Sequence, residues 1–150
     1  MGHIEVTRDL AASPEALWAT VSDPNTWEKW FTVHEKWVEE PPAVLTKGAK
    51  LTDKIVMLGM ENNIDWAIES IEAPRRLVMG GTGMAGVKAE FAFSIEPMHG
   101  GSTFTVSGDF DGALIRGALG KAVEKDGLKQ LNKTIDRLDA LAFSLVGSSA

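Results

Sequence analysis

The stretch from Ala12 to Phe31 constrains the fold of this chain more than any other segment. Ser13 and Asp23 are residue types that cap helix N-termini, and each is followed by a proline, which is well tolerated at the first helical position. Three of the five tryptophans lie in this short stretch, and so much apolar surface must be buried against a larger body. The apolar positions at helical spacing are Leu17, Trp18 and Val21, then Trp27, Trp30 and Phe31.

Strand patterns on both sides of this stretch supply that larger body. Residues 3–10 alternate, with Ile4, Val6 and Leu10 on one side, which is typical of a half-buried strand. Similar alternation continues from 33 to 111, and the C-terminal segment has a helical pattern. The predicted breaks between strands fall at Pro41-Pro42, Asn62-Asn63, Ala73 to Arg76 and His99 to Ser102.

This order of elements resembles the helix-grip fold of the START-like, or Bet v 1-like (SRPBCC), superfamily. The resemblance rests on the pattern Ala-Ser-Pro-Glu-x-x-Trp-x-x-x-Ser-Asp-Pro-x-x-Trp-x-x-Trp from Ala12 to Trp30 and extends over nearly the whole chain. Within the superfamily the chain resembles the bacterial polyketide cyclase/dehydrase-like group, in an actinobacterial branch with members named as toxins. The resemblance implies an α+β fold in which a curved antiparallel sheet of about seven strands wraps around a long C-terminal helix, with two short helices after the first strand.

Composition limits the classes of protein and partner. A chain of 150 residues with 44% hydrophobic residues is predicted to form a single domain, 1–150. The net charge of −6 disfavours nucleic acid as a partner, and the lack of cysteine excludes thiolate chemistry. Charged residues interrupt the N-terminus, and the apolar run from Ile55 to Met60 is too short to cross a bilayer. We therefore expect a cytoplasmic protein without integral membrane association, its oligomeric state undetermined.

One glycine-rich segment matches a known binding motif. Gly81 to Gly86 fits G-x-G-x-x-G, which binds a dinucleotide only when a helix follows it directly. The residues that follow, 87–95, alternate like a strand. The motif is therefore interpreted as a hairpin or bulge with positive φ angles, and no cofactor is predicted.

Catalytic and metal-binding motifs are missing from the sequence. His3, His34 and His99 lie far apart, and each is predicted to be a surface residue. No nucleophile elbow is present. No catalytic residue and no metal ligand are predicted on this basis.

Three charged residues are the strongest polar candidates. Alternation places Arg8, Glu35 and Asp53 on the inward faces of the first three strands. In the fold that the chain resembles, the first two strands adjoin and the third lies beside the second, so the three side chains are expected to meet at one end of a cavity. They could orient a ligand's carbonyl or hydroxyl group, or they could form a structural salt bridge.

Large apolar residues from several strands are predicted to share one concave face. Such residues are either ordinary core or the lining of a chamber, and the resemblance implies a chamber beneath the long helix. These candidates for ligand contact are Trp37, Met57, Trp66, Phe91, Phe93 and Phe110.

The apolar pattern of the C-terminal helix changes direction near Asp126-Gly127. One cluster is Ile115, Ala118, Leu119 and Ala122, and the other is Leu128, Leu131, Ile135, Leu138 and Ala142. The change predicts a bend or a change of packing partner, with residues 128–145 on the sheet and residues 112–123 forming a separate flap that brings Leu119 and Val123 over the cavity. A straight helix is the alternative. This flap and the loop 80–86 are expected to gate the cavity.

The leading functional hypothesis is a binding or carrier protein for a hydrophobic small molecule, such as a lipid, an isoprenoid or a polyketide-like compound. The resemblance leaves two alternatives open. One is a cyclase or dehydratase that uses Asp53 or Glu35 as acid or base. The other is a toxin-like or regulatory protein of a toxin–antitoxin pair.

Overall fold

A computed structural model describes residues 2–57, 59–83, 86–112 and 117–149 of the chain. Its elements follow the predicted order of one strand, short helices, a run of strands and a long helix. They are β1 Gly2–Leu10, α1 Pro14–Val21, a 3₁₀ turn Pro24–Thr26, α2 Trp27–Trp30, β2 His34–Trp37, β3 Lys50–Met57, β4 Met60–Glu72, β5 Arg76–Thr82, β6 Lys88–Met98, β7 Gly101–Asp111 and α3 Ala118–Ser149.

The seven strands form one antiparallel sheet in the order β1-β7-β6-β5-β4-β3-β2. The sheet curls into a half-barrel against α3, which confirms the predicted helix-grip fold. The strands β1 and β2 are its two edges, because β1 pairs with β7 and β2 pairs with β3. The expectation that the first two strands adjoin is therefore wrong.

The two short helices begin as their sequence predicts. The Ser13 Oγ accepts a hydrogen bond from the Ala16 backbone N–H at 3.2 Å, and Pro14 occupies the first turn of α1. The Asp23 carboxylate accepts one from the Asn25 N–H at 3.0 Å at the start of the 3₁₀ turn. Both caps satisfy backbone donors that have no partner within the helix.

The turn predicted at Asn62-Asn63 is wrong, because both residues lie inside β4. The chain reverses earlier, at Gly59, whose φ of 75° is the left-handed conformation that glycine adopts without strain. The hairpin between β6 and β7 follows the prediction, with Gly100 at φ 84°.

The predicted separate flap is wrong in its described part, because residues 118–123 belong to α3, which is one continuous helix of 32 residues. Its buried stripe keeps a single phase, and in its first half it runs through small residues such as Gly127, while Leu119 and Ala122 are exposed. Residues 113–116 of the predicted flap lie outside the described part of the chain, and residues 118–123 are the first turns of α3.

The second half of α3 is tied to the N-terminal elements by polar contacts. The Thr134 hydroxyl accepts a hydrogen bond from the Thr32 N–H at 3.2 Å. The Asp139 carboxylate accepts one from the Ala12 N–H at 3.1 Å. These bonds hold α3 against the segment that carries α1 and α2.

A packed aromatic cluster fills the space beneath these elements. Trp27, Trp30 and Phe31 are fully buried, and Phe93 meets the Trp30 ring with centroids 6.1 Å apart. The Trp30 indole N–H donates to the Thr26 Oγ1 at 2.9 Å, so its one polar atom is satisfied. Trp27 and Trp30 of the N-terminal stretch therefore form one end of the core. No helix in the described part of the chain is long and apolar enough to cross a membrane.

Candidate ligand-binding site

A cavity of about 120 Å³ lies between the concave face of the sheet and residues 123–134 of α3, which belong to the first half of that helix except for Thr134. The sheet contributes apolar side chains at alternate positions of five strands, and the helix contributes residues three or four positions apart, as one face of a helix must. The sheet side comprises Ile4, Ile55, Asn62, Ile64, Trp66, Ala89, Phe91 and Phe110, with Phe31, Val33 and Val87 beside it. The helix side comprises Val123, Gly127, Gln130, Leu131 and Thr134.

Glycines in neighbouring strands make room for the large rings of the cavity wall. A Cβ atom on Gly81 would lie 2.6 Å from the Trp66 ring, and one on Gly108 would lie 2.8 Å from the Phe91 ring. Both distances are too short for a real contact, so glycine is required there. Gly81 belongs to the G-x-G-x-x-G motif, and Gly86 of the same motif has φ 78°. The strand β6 follows, which agrees with the rejection of a dinucleotide site.

Among the described residues, three polar ones line the cavity: Asn62, Gln130 and Thr134. The Thr134 hydroxyl is already engaged, because it accepts from the Thr32 N–H and lies 3.1 Å from the Thr32 Oγ1. Gln130 is half-buried, and its backbone carbonyl accepts from the Thr32 hydroxyl. No charged residue of the described chain lines the cavity, so the site favours a ligand whose buried part is uncharged.

A buried polar network lies directly behind the Trp66 ring. The Trp66 Nε1–H donates to one oxygen of Asp53 at 2.6 Å, and the His34 Nδ1–H donates to the other at 2.8 Å. The side chains of His34 and Asp53 are 1% and 0% exposed. Both carboxylate oxygens are therefore engaged, and the network fixes the orientation of the ring that forms the cavity wall.

The prediction that His34 is a surface residue is wrong. A register shift in the pairing of β2 with β3 between His34 and Lys36 turns His34 inward and leaves Glu35 exposed. The imidazole packs against the Trp37 ring, 4.5 Å between centroids, and its Nε2 has no hydrogen-bond partner in the described structure. His34 does not line the cavity. The bulge cannot be inferred from alternation, because it interrupts the alternation.

The predicted meeting of Arg8, Glu35 and Asp53 does not occur. Arg8 does lie on the inward side of β1, but its guanidinium pairs with the Asp136 carboxylate of α3 at 2.6 Å. The separation of β1 and β2 at opposite edges of the sheet keeps it from the other two. Asp53 is buried as predicted, with His34 and Trp66 as its partners.

Glu35 lies on the outer face of the sheet beside Lys54 and Glu61. The Lys54 Nζ lies 2.9 Å from the Glu61 carboxylate and 3.4 Å from that of Glu35. These two carboxylates, Glu61 foremost, raise the pKa of the Lys54 ammonium above its ordinary value. Glu35 therefore takes part in a surface charge cluster away from the cavity.

The apolar candidates divide between the cavity and the core. Trp66, Phe91, Phe110 and Val123 line the cavity. Phe93 lies in the aromatic cluster instead, and Trp37 donates its indole N–H to the Pro24 carbonyl at 3.0 Å. Leu119 is 38% exposed and does not line the cavity. The side chain of Met57 lies outside the described part of the structure.

Sequence reasoning missed the small and aliphatic half of the lining. Ile4, Ile64 and Ala89 lie on strand faces that alternation identifies as inward, but the predicted strand lining included only large side chains. Gly127 marked the change of apolar direction in the helix, which was interpreted as a bend. A glycine in the buried stripe of a long helix was the signal that the helix faces open space there. Across the described ranges, no three His, Cys, Asp or Glu side chains are grouped so as to hold a metal ion.

Comparison with solved structures agrees with this architecture. A START superfamily protein from Mycobacterium smegmatis superposes with a TM-score of 0.76 at 21% identity, covering 94% of this chain and 99% of that one. Protein CV1439 from Chromobacterium violaceum superposes with a TM-score of 0.75 at 15% identity, covering 95% and 98%. At these identities the likeness shows the fold.

Among curated sequences, the chain is similar to two kinds of protein from Mycobacterium tuberculosis. Toxin Rv0910 is 28% identical over 123 residues, which cover 82% of this chain and 85% of that protein. Protein Rv1546 is 28% identical over 125 residues, covering 83% and 87%.

A family model described as "Polyketide cyclase / dehydrase and lipid transport" matches residues 1–142. This match covers both the elements that build the cavity and those that build the aromatic cluster. The family and the fold support hydrophobic ligand binding in general. The chain therefore belongs to the polyketide cyclase/dehydrase and lipid transport family.

Proposed function

We propose that this protein binds a hydrophobic small molecule in the cavity between the sheet and the first half of α3. The observation that carries the proposal is the lining of that cavity, which is almost entirely aliphatic and aromatic. Burying apolar ligand surface there releases about 25 cal/mol per Å². The polar residues at the helix side orient the ligand.

The lipid, isoprenoid and polyketide-like classes all satisfy this description. They are tested together by calorimetric titration with n-hexanol, p-cresol, farnesol and palmitate, and by native mass spectrometry of the purified protein. We expect at least one class to bind. Failure of all four probes, with no copurifying apolar molecule, would contradict the proposed function.

A matched pair of variants tests whether binding occurs in this cavity. Ala89 lines it, whereas Ala92 lies on the opposite face of the same strand, β6. Ala89→Leu fills the cavity and should weaken binding at least tenfold, while Ala92→Leu should leave it unchanged. Equal effects of the two substitutions would place binding elsewhere.

The structure lends no support to the cyclase or dehydratase alternative through the residues it named. Both oxygens of Asp53 accept hydrogen bonds from buried donors, and Asp53 does not line the cavity. Glu35 lies on the outer face beside Lys54. Neither carboxylate is placed to exchange a proton with a bound ligand.

A toxin-like role is a second candidate, favoured by the similarity to the protein named toxin Rv0910. Induced expression of this chain tests it directly. If the wild-type chain arrests growth and the Ala89→Leu variant, expressed at the same protein level, does not, the toxic effect depends on the cavity. Unaffected growth under strong induction would contradict this candidate.

A further inference from the structure

The dimensions of the cavity limit what it can hold. Its volume of about 120 Å³ is slightly below the roughly 150 Å³ of an engineered apolar cavity that binds benzene. One six-membered ring, or a chain of about six carbon atoms, fills such a space. A multi-ring compound or a long acyl chain exceeds this volume.

On the helix side of the cavity, Gly127 sets the limit on ligand size. It lies four residues from Val123 and four from Leu131, so all three face the cavity on one side of α3. Glycine is unfavourable inside a helix, and at this buried position its missing side chain leaves space directly above the sheet. Because Gly127 lines the cavity on the same helix face as Val123 and Leu131, a side chain at this position would project into the cavity.

Of the three polar residues of the described chain that line the cavity, Asn62 and Thr134 have partners within the protein, and Gln130 is the one that can turn to a ligand. Gln130 is half-buried on the same face as Gly127, and in the described part of the chain its side-chain amide has no hydrogen-bond partner. An amide both donates and accepts, so it can meet a hydroxyl or a carbonyl. Thr134, one turn further along, is occupied by Thr32.

We propose, on the basis of the function proposed above, that the site selects a compact uncharged molecule of about one ring or six carbons, with a single hydroxyl or carbonyl group directed at Gln130, and that Gly127 sets this size limit. Larger members of the lipid and polyketide classes are then poor ligands of this protein.

A homologous series of n-alkanols from butanol to dodecanol tests the size limit by calorimetry. Each added methylene that is buried should strengthen binding about fourfold. We expect this rise to stop at about six carbons. A rise in affinity that continues to dodecanol, or binding of farnesol or palmitate without binding of any n-alkanol, would overturn the size limit and leave the proposed function standing.

A pair of substitutions tests the role of Gly127. Gly127→Val adds three carbon atoms to the cavity and should weaken n-hexanol binding more than tenfold. The chain length at which affinity stops increasing should also become shorter. Leu128→Val introduces the same β-branched residue at the adjacent position, which is 40% exposed. It should change neither the affinity for n-hexanol nor the limiting chain length. Unaltered chain-length dependence in Gly127→Val would overturn its assignment.

The polar contact is tested with p-cresol and toluene, which differ by one hydroxyl group. The wild-type protein should prefer p-cresol about fivefold, the value of one net hydrogen bond. Gln130→Met keeps the side-chain length without the amide and should abolish the preference while toluene still binds. A preference that survives this substitution would overturn the role of Gln130.

Discussion

The two ends of the space between the sheet and α3 differ in what fills them. Beneath the second half of α3, Trp27 packs against Trp30 and Phe31, and these two rings pack against Phe93, all four at most 1% exposed. Beneath the first half, the helix presents Gly127 and the sheet keeps a cavity. The same sheet and the same continuous helix bound both ends.

The comparison shows that this fold is hollow where neither the long helix nor a neighbouring element supplies large side chains. The short helices α1 and α2 insert large rings at one end only, and no corresponding element in the described chain fills the other end. Polar contacts also differ: Thr32 and Ala12 anchor the second half of α3, whereas Gln130 is left available in the first. Stability and binding should therefore be separable by mutation.

The largest expected effect is at the packed end. Trp30→Ala removes a fully buried ring and should lower the free energy of unfolding by about 3–5 kcal/mol, measured by urea denaturation. Phe110→Ala at the cavity wall should cost less, because Phe110 is only half-buried. Equal losses from the two substitutions would contradict the distinction between the ends.

The buried network behind Trp66 should give the next largest effect. Asp53→Ala leaves the His34 Nδ1–H and the Trp66 Nε1–H without acceptors, which should cost about 3 kcal/mol in urea denaturation. Asp65→Ala is the matched control, because Asp65 is exposed on the adjacent strand β4, and it should cost less than about 0.5 kcal/mol. If both variants unfold at the same urea concentration, the network contributes nothing to stability.

The fold was predictable because its signals are local and repeated. The caps at Ser13 and Asp23 and the alternation in β1 and β6 each specify one element, and their order specifies the architecture. What local patterns could not show was pairing between distant strands. The positions of β1 and β2 at opposite edges depend on the whole sheet, so the predicted meeting of Arg8 with Glu35 was wrong.

The site was predictable in half of its lining for a related reason. Large rings such as Trp66 and Phe91 are conspicuous in a sequence, whereas open space is defined by residues that are small or missing a side chain. In the sequence, Gly127 marks only the point where the apolar pattern of the helix changes direction, and this pattern does not reveal the open space beside it. His34 escaped because a bulge in β2 reversed the face that alternation assigned to it.

Gly127→Ala should have a smaller effect on stability, and in the opposite direction. Replacing glycine inside a helix favours the folded state by about 0.5–1 kcal/mol, and the added methyl group projects from the helix face that lines the cavity. Urea denaturation should show this gain together with weaker n-hexanol binding. Destabilisation by more than about 1 kcal/mol would mean that the first half of α3 is as tightly packed as the second.

The smallest expected effect on stability comes from the exposed pair of His3 and Asp109, behind the cavity wall. The hydrogen bond from His3 to Asp109 raises the pKa of the His3 imidazole above 6.5. A raised pKa in the folded state means that the pair stabilises the protein below pH 6.5, and that this contribution is lost as pH rises through the raised value. NMR titration should show the raised midpoint, and Asp109→Asn should lower it.

The same titration tests whether the open end is preformed. His3 and Asp109 lie on the outer face of β1 and β7, whose inner faces present Ile4 and Phe110 to the cavity. If the wall is rigid, saturating n-hexanol leaves the His3 midpoint unchanged. A shifted midpoint would show that the sheet moves when the cavity is filled.

A crystal structure under xenon pressure tests the contrast between the two ends most directly, because xenon enters dry apolar cavities. We predict one xenon atom between Trp66, Phe91 and Gly127, and none between Trp27 and Trp30. Xenon within the aromatic cluster, or none between the sheet and the first half of α3, would contradict this account.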